Sequence, residues 1–288
     1  MIQGNMSHGV SPAHPAATVV LCRAGANGVL EVYLVKRHGR AGFMAGAHVF
    51  PGGRVDDDDE TYVTRLPATA RAHACALVPE VPEEVAVGYC IAAIRETTEE
   101  CGLVLARAEN GALVTAATAR GVGEEVSRGR SFHDALADRR LFPDVEALRA
   151  LAWWITPTAE PKRFDTRFFL AAAPPDQAPR VDAQEATEGG WFRPTEAIRA
   201  YRLGAMRLAP PTLATLEDLE RTPALDEVNR STSLPVTPID PELVHLDDGG
   251  MALVLPGDPL HSRPLDPAPH RTRFVLETDG RFASRVVR

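Results

Sequence analysis

The sequence predicts an α/β fold, and three observations carry that expectation. Two segments rich in Val, Leu and Tyr, Ala17 to Arg23 and Leu30 to Lys36, read as strands joined across the turn Gly25-Ala26-Asn27-Gly28. A long helical periodicity follows, from about Glu83 to Cys101. Further extended segments, Trp153 to Thr156 and Arg163 to Ala172, come after it, the second with three phenylalanines.

Each element has a local reason. His48 to Phe50 reads as a short strand entering the turn Pro51-Gly52-Gly53, and the acidic run Asp56-Asp57-Asp58-Asp59-Glu60 starts an insertion, with Asp56 to Asp58 read as a solvated loop rather than a metal-proximal rim. At about 100° per residue, Val87, Cys90, Ile91, Ile94, Thr98 and Cys101 share one stripe of the long helix. Glu96, Glu99 and Glu100 cluster almost opposite. Pro82, Glu83 and Glu84 suit its first turn, and Gly102 suits a left-handed stop. Glu124 to Arg140 and Asp144 to Ala150 read as helical, as do Ala197 to Arg202 and Pro211 to Arg221. Beyond about Thr222 prolines crowd the chain, and Leu253 to Leu255 and Arg273 to Glu277 read as strands added to a sheet edge.

Composition narrows the class. At 288 residues with 44% hydrophobic content the chain can build one large domain or two small ones. A net charge of −8 argues against a general nucleic-acid binder. No apolar run approaches the length of a membrane span, and Met1 to His14 reads as a disordered polar leader. Cys22, Cys75, Cys90 and Cys101 form no close pair, which excludes the usual zinc-ribbon and thioredoxin-like spacings. Reduced thiols and a cytoplasmic location are expected. The nine histidines show no His-x3-His spacing.

The chemistry is carried by Arg95-Glu96-Thr97-Thr98-Glu99-Glu100-Cys101-Gly102-Leu103. Three glutamates at i, i+3 and i+4 repel one another, by roughly 0.2–0.5 kcal/mol for an i,i+4 pair in water. A bound hard cation reverses that sign, because Mg²⁺ takes carboxylate oxygens and accepts phosphate oxygens as further ligands. The alternative is a solvated acidic face. Two neighbours favour the cation. Arg95 can orient a carboxylate of its own helix, and Gly52-Gly53 can bring bare backbone close to a ligand.

These residues resemble the signature of the Nudix hydrolases, G-x5-E-x7-R-E-U-x-E-E-x-G-U with U aliphatic. Gly53 matches the first glycine, and Arg95, Glu96, Glu99, Glu100, Gly102 and Leu103 match the second half. Thr97 replaces an aliphatic packing residue. Gly53 and Arg95 stand 42 positions apart, so about 28 residues are inserted within the motif, and its first glutamate falls at Asp59, beside Glu60. Together with Phe43 to Gly53, Trp154-Ile155-Thr156-Pro157 and Arg163 to Phe169, this split motif is similar to the peroxisomal coenzyme A diphosphatase branch and its bacterial relatives.

The resemblance implies a Nudix α/β/α sandwich with a mixed sheet over residues 15–222. From the residues alone, about 105–150 reads as a second elaboration of the kind that shapes a pocket, and 223–288 as a C-terminal extension packed on that domain or on a second subunit, not an independent domain; the resemblance adds an insertion at about 60–82. It also implies a site. Gly52, Glu96, Glu99, Glu100 and Glu185 are expected to hold Mg²⁺ or Mn²⁺, Arg95 to orient the glutamates, and Glu188 to act as base. Arg37, Arg40, Phe50 and Gly53 are expected at the substrate. Gly42 stands where coenzyme A enzymes often place a second arginine, with Arg40 two positions earlier. Lys36, Arg37 and Arg40 also fit a solvated strand end.

The implied reaction is metal-dependent attack of water on the diphosphate of coenzyme A or acyl-CoA, giving 3′,5′-ADP and (acyl)phosphopantetheine. Hydrolysis of another nucleoside diphosphate derivative, such as NADH, ADP-ribose or a nucleotide sugar, is the alternative. A non-catalytic nucleotide sensor is a third reading, disfavoured by the intact glutamates. The expected partner is a small molecule, neither nucleic acid nor membrane, and homodimerisation is common in the family.

Overall fold

The computed structural model describes residues 11–38, 45–180, 186–221, 236–263 and 271–287. The chain divides into two compact units. The larger spans 16–153 and 166–237, and the smaller comprises 1–15, 154–165 and 238–288.

The larger unit is built around one helix and most of one sheet, whose residues 13–15, 154–155 and 163–165 fall in the smaller unit. Strand β1 (Ala13–Ala24) turns back into β2 (Leu30–Arg37), followed by β3 (His48–Val49) and β4 (Gly52–Arg54). Asn27 and Gly28 take positive φ in the β1–β2 turn, as that turn requires. Helical turn α1 (Asp57–Glu60) and helix α2 (Ala68–Leu77) lead to α3 (Glu83–Cys101). Then come β5 (Ala106–Ala108), α4 (Ala116–Ser127), α5 (Phe132–Ala137), β6 (Leu141–Pro143), β7 (Arg149–Ile155) and β8 (Arg163–Ala172). Strand β9 (Ala186–Phe192), α6 (Pro194–Arg202) and α7 (Pro210–Glu220) complete it.

Strand order runs β7-β8-β1-β2-β3, with β4 paired to β1 and β9 paired to β2. Alternation along β2 sends Tyr33 and Val35 into the core shared with α3, while the equally buried Val32 and Leu34 face the other side. Helix α6 also touches β2. The result is the expected α/β/α sandwich.

Helix α3 begins and ends where the sequence indicates. Pro82 occupies the N-cap, Glu83 and Glu84 lie in the first turn, and Gly102 closes it at φ 65°. Its middle, Ala86 to Arg95, is buried all round, because Tyr62, Leu66, Ala70, Ala74 and Leu77 of the insertion join the core that includes Val87, Ile91 and Ile94. Burying each such leucine stabilises the fold by about 2 kcal/mol. Gly88 permits this covering, since a Cβ there would sit 2.8 Å from Glu60 Cγ.

Several expectations change. The acidic run forms a helical turn, with Asp56, Asp57 and Asp58 exposed but Asp59 fully buried. The helix expected over Glu124 to Arg140 is two, starting at the Thr115 cap and broken at Gly129, whose φ is 89°. Asp144 to Ala150 is a short 3₁₀ turn running into β7, because burial alternates from Leu148 through exposed Arg149 to Ala150. Ala13 and His14, expected in the leader, lie in β1.

In the smaller unit, β10 (Pro238–Ile239) precedes β11 (Glu242–His245), β12 (Met251–Val254), β13 (Arg273–Leu276) and β14 (Phe282–Arg285). The last four form an antiparallel sheet of their own, not strands added to an existing edge. Arg273 donates to both oxygens of buried Asp258, at 2.7 and 2.6 Å.

Candidate active site

Arg95 is the hub of the site, and burial forces its side chain to find partners. Its side chain is 8% exposed. Nε and Nη2 donate to the two oxygens of Asp59 at 3.0 Å each, and Nη2 also donates to Arg54 O at 2.8 Å. Nη1 donates to Glu96 Oε1 and Glu99 Oε2, both at 2.8 Å. One guanidinium therefore ties α1, β4 and two carboxylates of α3 together.

Asp59 is fixed from several sides. The Asp56 N–H donates to its Oδ2 at 2.9 Å, and His133 Nε2 lies 3.5 Å from its Oδ1. Burial pushes its carboxyl up, but the hydrogen bonds from His133 and Arg95, the Arg95 charge and the Asp56 N–H outweigh it and hold the carboxyl below the usual range. Burial likewise opposes the charge on Arg95, while Asp59, Glu96 and Glu99 raise its affinity for the proton. Arg95 stays cationic and cannot serve as a base.

The glycine turn meets the helix from the other side. Gly52 N donates to Glu100 Oε2 at 3.1 Å. A Cβ on Gly53 would lie 2.3 Å from Glu96 Oε1, so only glycine lets the Glu96 carboxylate occupy that place. Thr97 packs as expected: it is fully buried and its hydroxyl donates to Ala93 O at 2.8 Å.

Among the described residues no group of three or more His, Cys, Asp or Glu side chains is arranged to hold a metal ion. The donor set nevertheless fits a hard divalent cation. Glu96 and Glu99 converge on one nitrogen of Arg95, and the bare backbone of Gly53 borders Glu96. Glu100, 7% exposed, is turned to the Gly52 N–H.

The remaining expected residues are dispersed. Arg37 ends β2 on the face of Tyr33 and Val35, with its buried Nε unpartnered among the described residues. Phe50 is 3% exposed and packs inside, so it offers little surface to a ligand. Arg40 and Glu185 lie outside the described residues. Glu188 sits opposite Lys36 in the β2–β9 register, and the two pair at 3.0 Å. That places Glu188 on the sheet face turned away from α3, apart from Glu96, Glu99 and Glu100. Lys36 holds its carboxyl below the usual range.

His133 and Tyr62 are the residues that sequence reasoning missed. Their rings meet beside Asp59, centroids 4.8 Å apart and tilted by 43°, one from each elaboration. The cysteines play no visible part: Cys22, Cys90 and Cys101 are buried, and burial pushes the Cys22 thiol up to about 12.

Comparison with known proteins gives one family. The family model described as the NUDT19 Nudix domain matches residues 62–219. The acyl-coenzyme A diphosphatase NUDT19 of Xenopus laevis is 30% identical over 286 residues, covering 82% of this chain and 72% of that protein. Its Gallus gallus counterpart is 30% identical over 291 residues, covering 82% and 74%. A solved NUDIX hydrolase from Alicyclobacillus acidocaldarius is similar with a TM-score of 0.66 at 27% identity, covering 79% of this chain and 100% of that one.

Proposed function

Because this chain belongs to the Nudix hydrolase family, we propose that it hydrolyses the diphosphate of coenzyme A or an acyl-CoA to 3′,5′-ADP and (acyl)phosphopantetheine. The observation that carries the reading is the Arg95 hub. It gathers Glu96 and Glu99 beside a glycine turn, in a chain similar to acyl-coenzyme A diphosphatases.

Glu96, Glu99 and Glu100, with the Gly52 backbone, would hold Mg²⁺ or Mn²⁺. When bound, such an ion neutralises a diphosphate and lowers the pKa of a coordinated water. The protein's own part is positioning. Arg95 keeps two carboxylates at one place, Asp59 keeps Arg95 charged and still, and Glu100 anchors the turn through the Gly52 N–H. Water adds to one phosphorus and the other phosphate leaves, with no covalent intermediate. Arg37, on the α3 face of the sheet, would meet the anionic substrate.

A small-molecule substrate rather than nucleic acid suits the net charge of −8. Among the described residues no helix is long and apolar enough to cross a membrane. Four free cysteines, three of them buried, suit a reducing compartment such as the cytoplasm.

The test is incubation of the protein with coenzyme A, several acyl-CoAs, NADH and ADP-ribose, with Mg²⁺ or Mn²⁺, reading products by mass spectrometry. Metal-dependent 3′,5′-ADP is the expected product. Cleavage confined to NADH or ADP-ribose would replace the substrate and keep the site.

A further inference from the structure

A cavity of about 720 Å³ opens between the C-terminal end of α3, helix α4 and the segment 176–180. Thr98 and Glu99 form one end of it. Helix α4 supplies a long wall at spacings of three and four residues. Ala116, Ala119 and Gly123 are small and leave space, while Arg120, Glu124 and Arg128 carry charge.

These walls are fixed by the protein itself. Gly123 lies against the end of α3, where a Cβ would stand 3.3 Å from Gly102 O. Opposite, the Gln177 amide accepts from Val104 N at 2.8 Å and donates to Val104 O at 3.1 Å, and Arg180 N donates to Cys101 O at 2.7 Å. The far side of α4 is tied to α5, since Arg139 donates to both oxygens of Glu125, at 2.6 and 3.1 Å, and to Ala135 O at 3.0 Å.

The charges inside are unevenly paired. Arg180 and Arg128 both pair with Glu124, at 3.2 and 3.5 Å. Arg120 has no ion-pair partner among the described residues, and Asp176 is the other carboxylate away from α3. With Glu99 at the α3 end, three guanidiniums and three carboxylates line the cavity, so the charges balance and Arg120 is the guanidinium left to meet a ligand. A guanidinium without a carboxylate partner, with its planar donor fork, suits a phosphate group. A diphosphate at the α3 glutamates together with a second phosphate farther along describes a substrate with two separated phosphate centres, and the 3′-phosphate of coenzyme A is such a second centre.

We propose that this cavity binds the 3′-phosphate of coenzyme A through Arg120 and Arg180, and so sets preference for substrates that carry it. The assignment rests on the diphosphatase reading above, but binding tests it separately from turnover.

Calorimetry on the full chain would compare 3′,5′-ADP with AMP, the same nucleotide without the 3′-phosphate, in wild type, Arg120→Gln and Arg180→Gln. The wild type should favour 3′,5′-ADP on the order of tenfold, and each variant should move that ratio toward one. Equal affinities in the wild type, or an unchanged ratio in both variants, would overturn the proposal. In turnover, Arg120→Gln should raise KM for coenzyme A and leave kcat and the dephospho form unaffected. An equal loss on both substrates would contradict it. If neither substrate is cleaved while the binding ratio holds, the diphosphatase reading falls and the phosphate cavity stands.

Discussion

Asp59 and Arg95, 36 positions apart in the chain, form a two-bond ion pair at 3.0 Å per bond that closes the insertion between them. Asp59 is fully buried and Arg95 nearly so. Removing one partner of such a pair costs about 3 kcal/mol, because the other charge is left buried. Asp59→Asn is therefore expected to lower stability by about that amount in urea unfolding, and to lower turnover as Glu96 and Glu99 lose their anchor. Wild-type stability in the variant would show that Arg95 is held without Asp59.

The same pair predicts a pH dependence. The folded-state pKa of Asp59 is depressed, so its contribution is complete above the unfolded aspartate value of about 3.9. It is lost as pH falls through the lower folded value. The stability gap between wild type and Asp59→Asn should hold from neutral pH to about pH 5 and narrow below about pH 4. A gap that widens on acidification would reverse the assigned sign.

Gly52 and Gly53 should fail in different ways. A Cβ on Gly52 would meet backbone, at 2.3 Å from Ala17 O and 2.7 Å from Thr18 Cα, which cannot easily yield. A Cβ on Gly53 would meet the movable end of Glu96. Gly52→Ala is expected to lose more than about 2 kcal/mol of stability, whereas Gly53→Ala should keep most stability and lose at least about tenfold in kcat. Thermal unfolding beside steady-state kinetics separates the two, and full activity in Gly53→Ala would count against Glu96.

Helix α3 was legible from sequence because its signals are local: Pro82 and Gly102 at its ends, with Arg95 and three glutamates between them. Counting from Gly53 also reaches Asp59. Its burial was hidden within five consecutive acidic residues, since only tertiary packing separates Asp59 from exposed Asp58. His133 and Tyr62 left no signal, because each reaches the site from a different elaboration. Strand β9 was obscured by Gly189 and Gly190, which disfavour a strand until pairing with β2 fixes them. Gly129, read only as part of a longer helix, marks the break before α5.

The insertion is structural as well as peripheral. Leu66 and Leu77 are each 4% exposed in the α3 core. Leu66→Ala and Leu77→Ala should each cost about 3 kcal/mol, with kcat per folded molecule largely kept. Destabilisation below about 0.5 kcal/mol in both would mean that the insertion contributes little to the core.

The most direct test of the central claim is 3′,5′-ADP release from coenzyme A with and without Mg²⁺, in wild type and in Glu99→Gln. The account predicts metal-dependent release in the wild type and a loss of about 100-fold or more in a folded Glu99→Gln. Release that needs no metal, or that proceeds at the wild-type rate in Glu99→Gln, would contradict the assignment of the α3 glutamates.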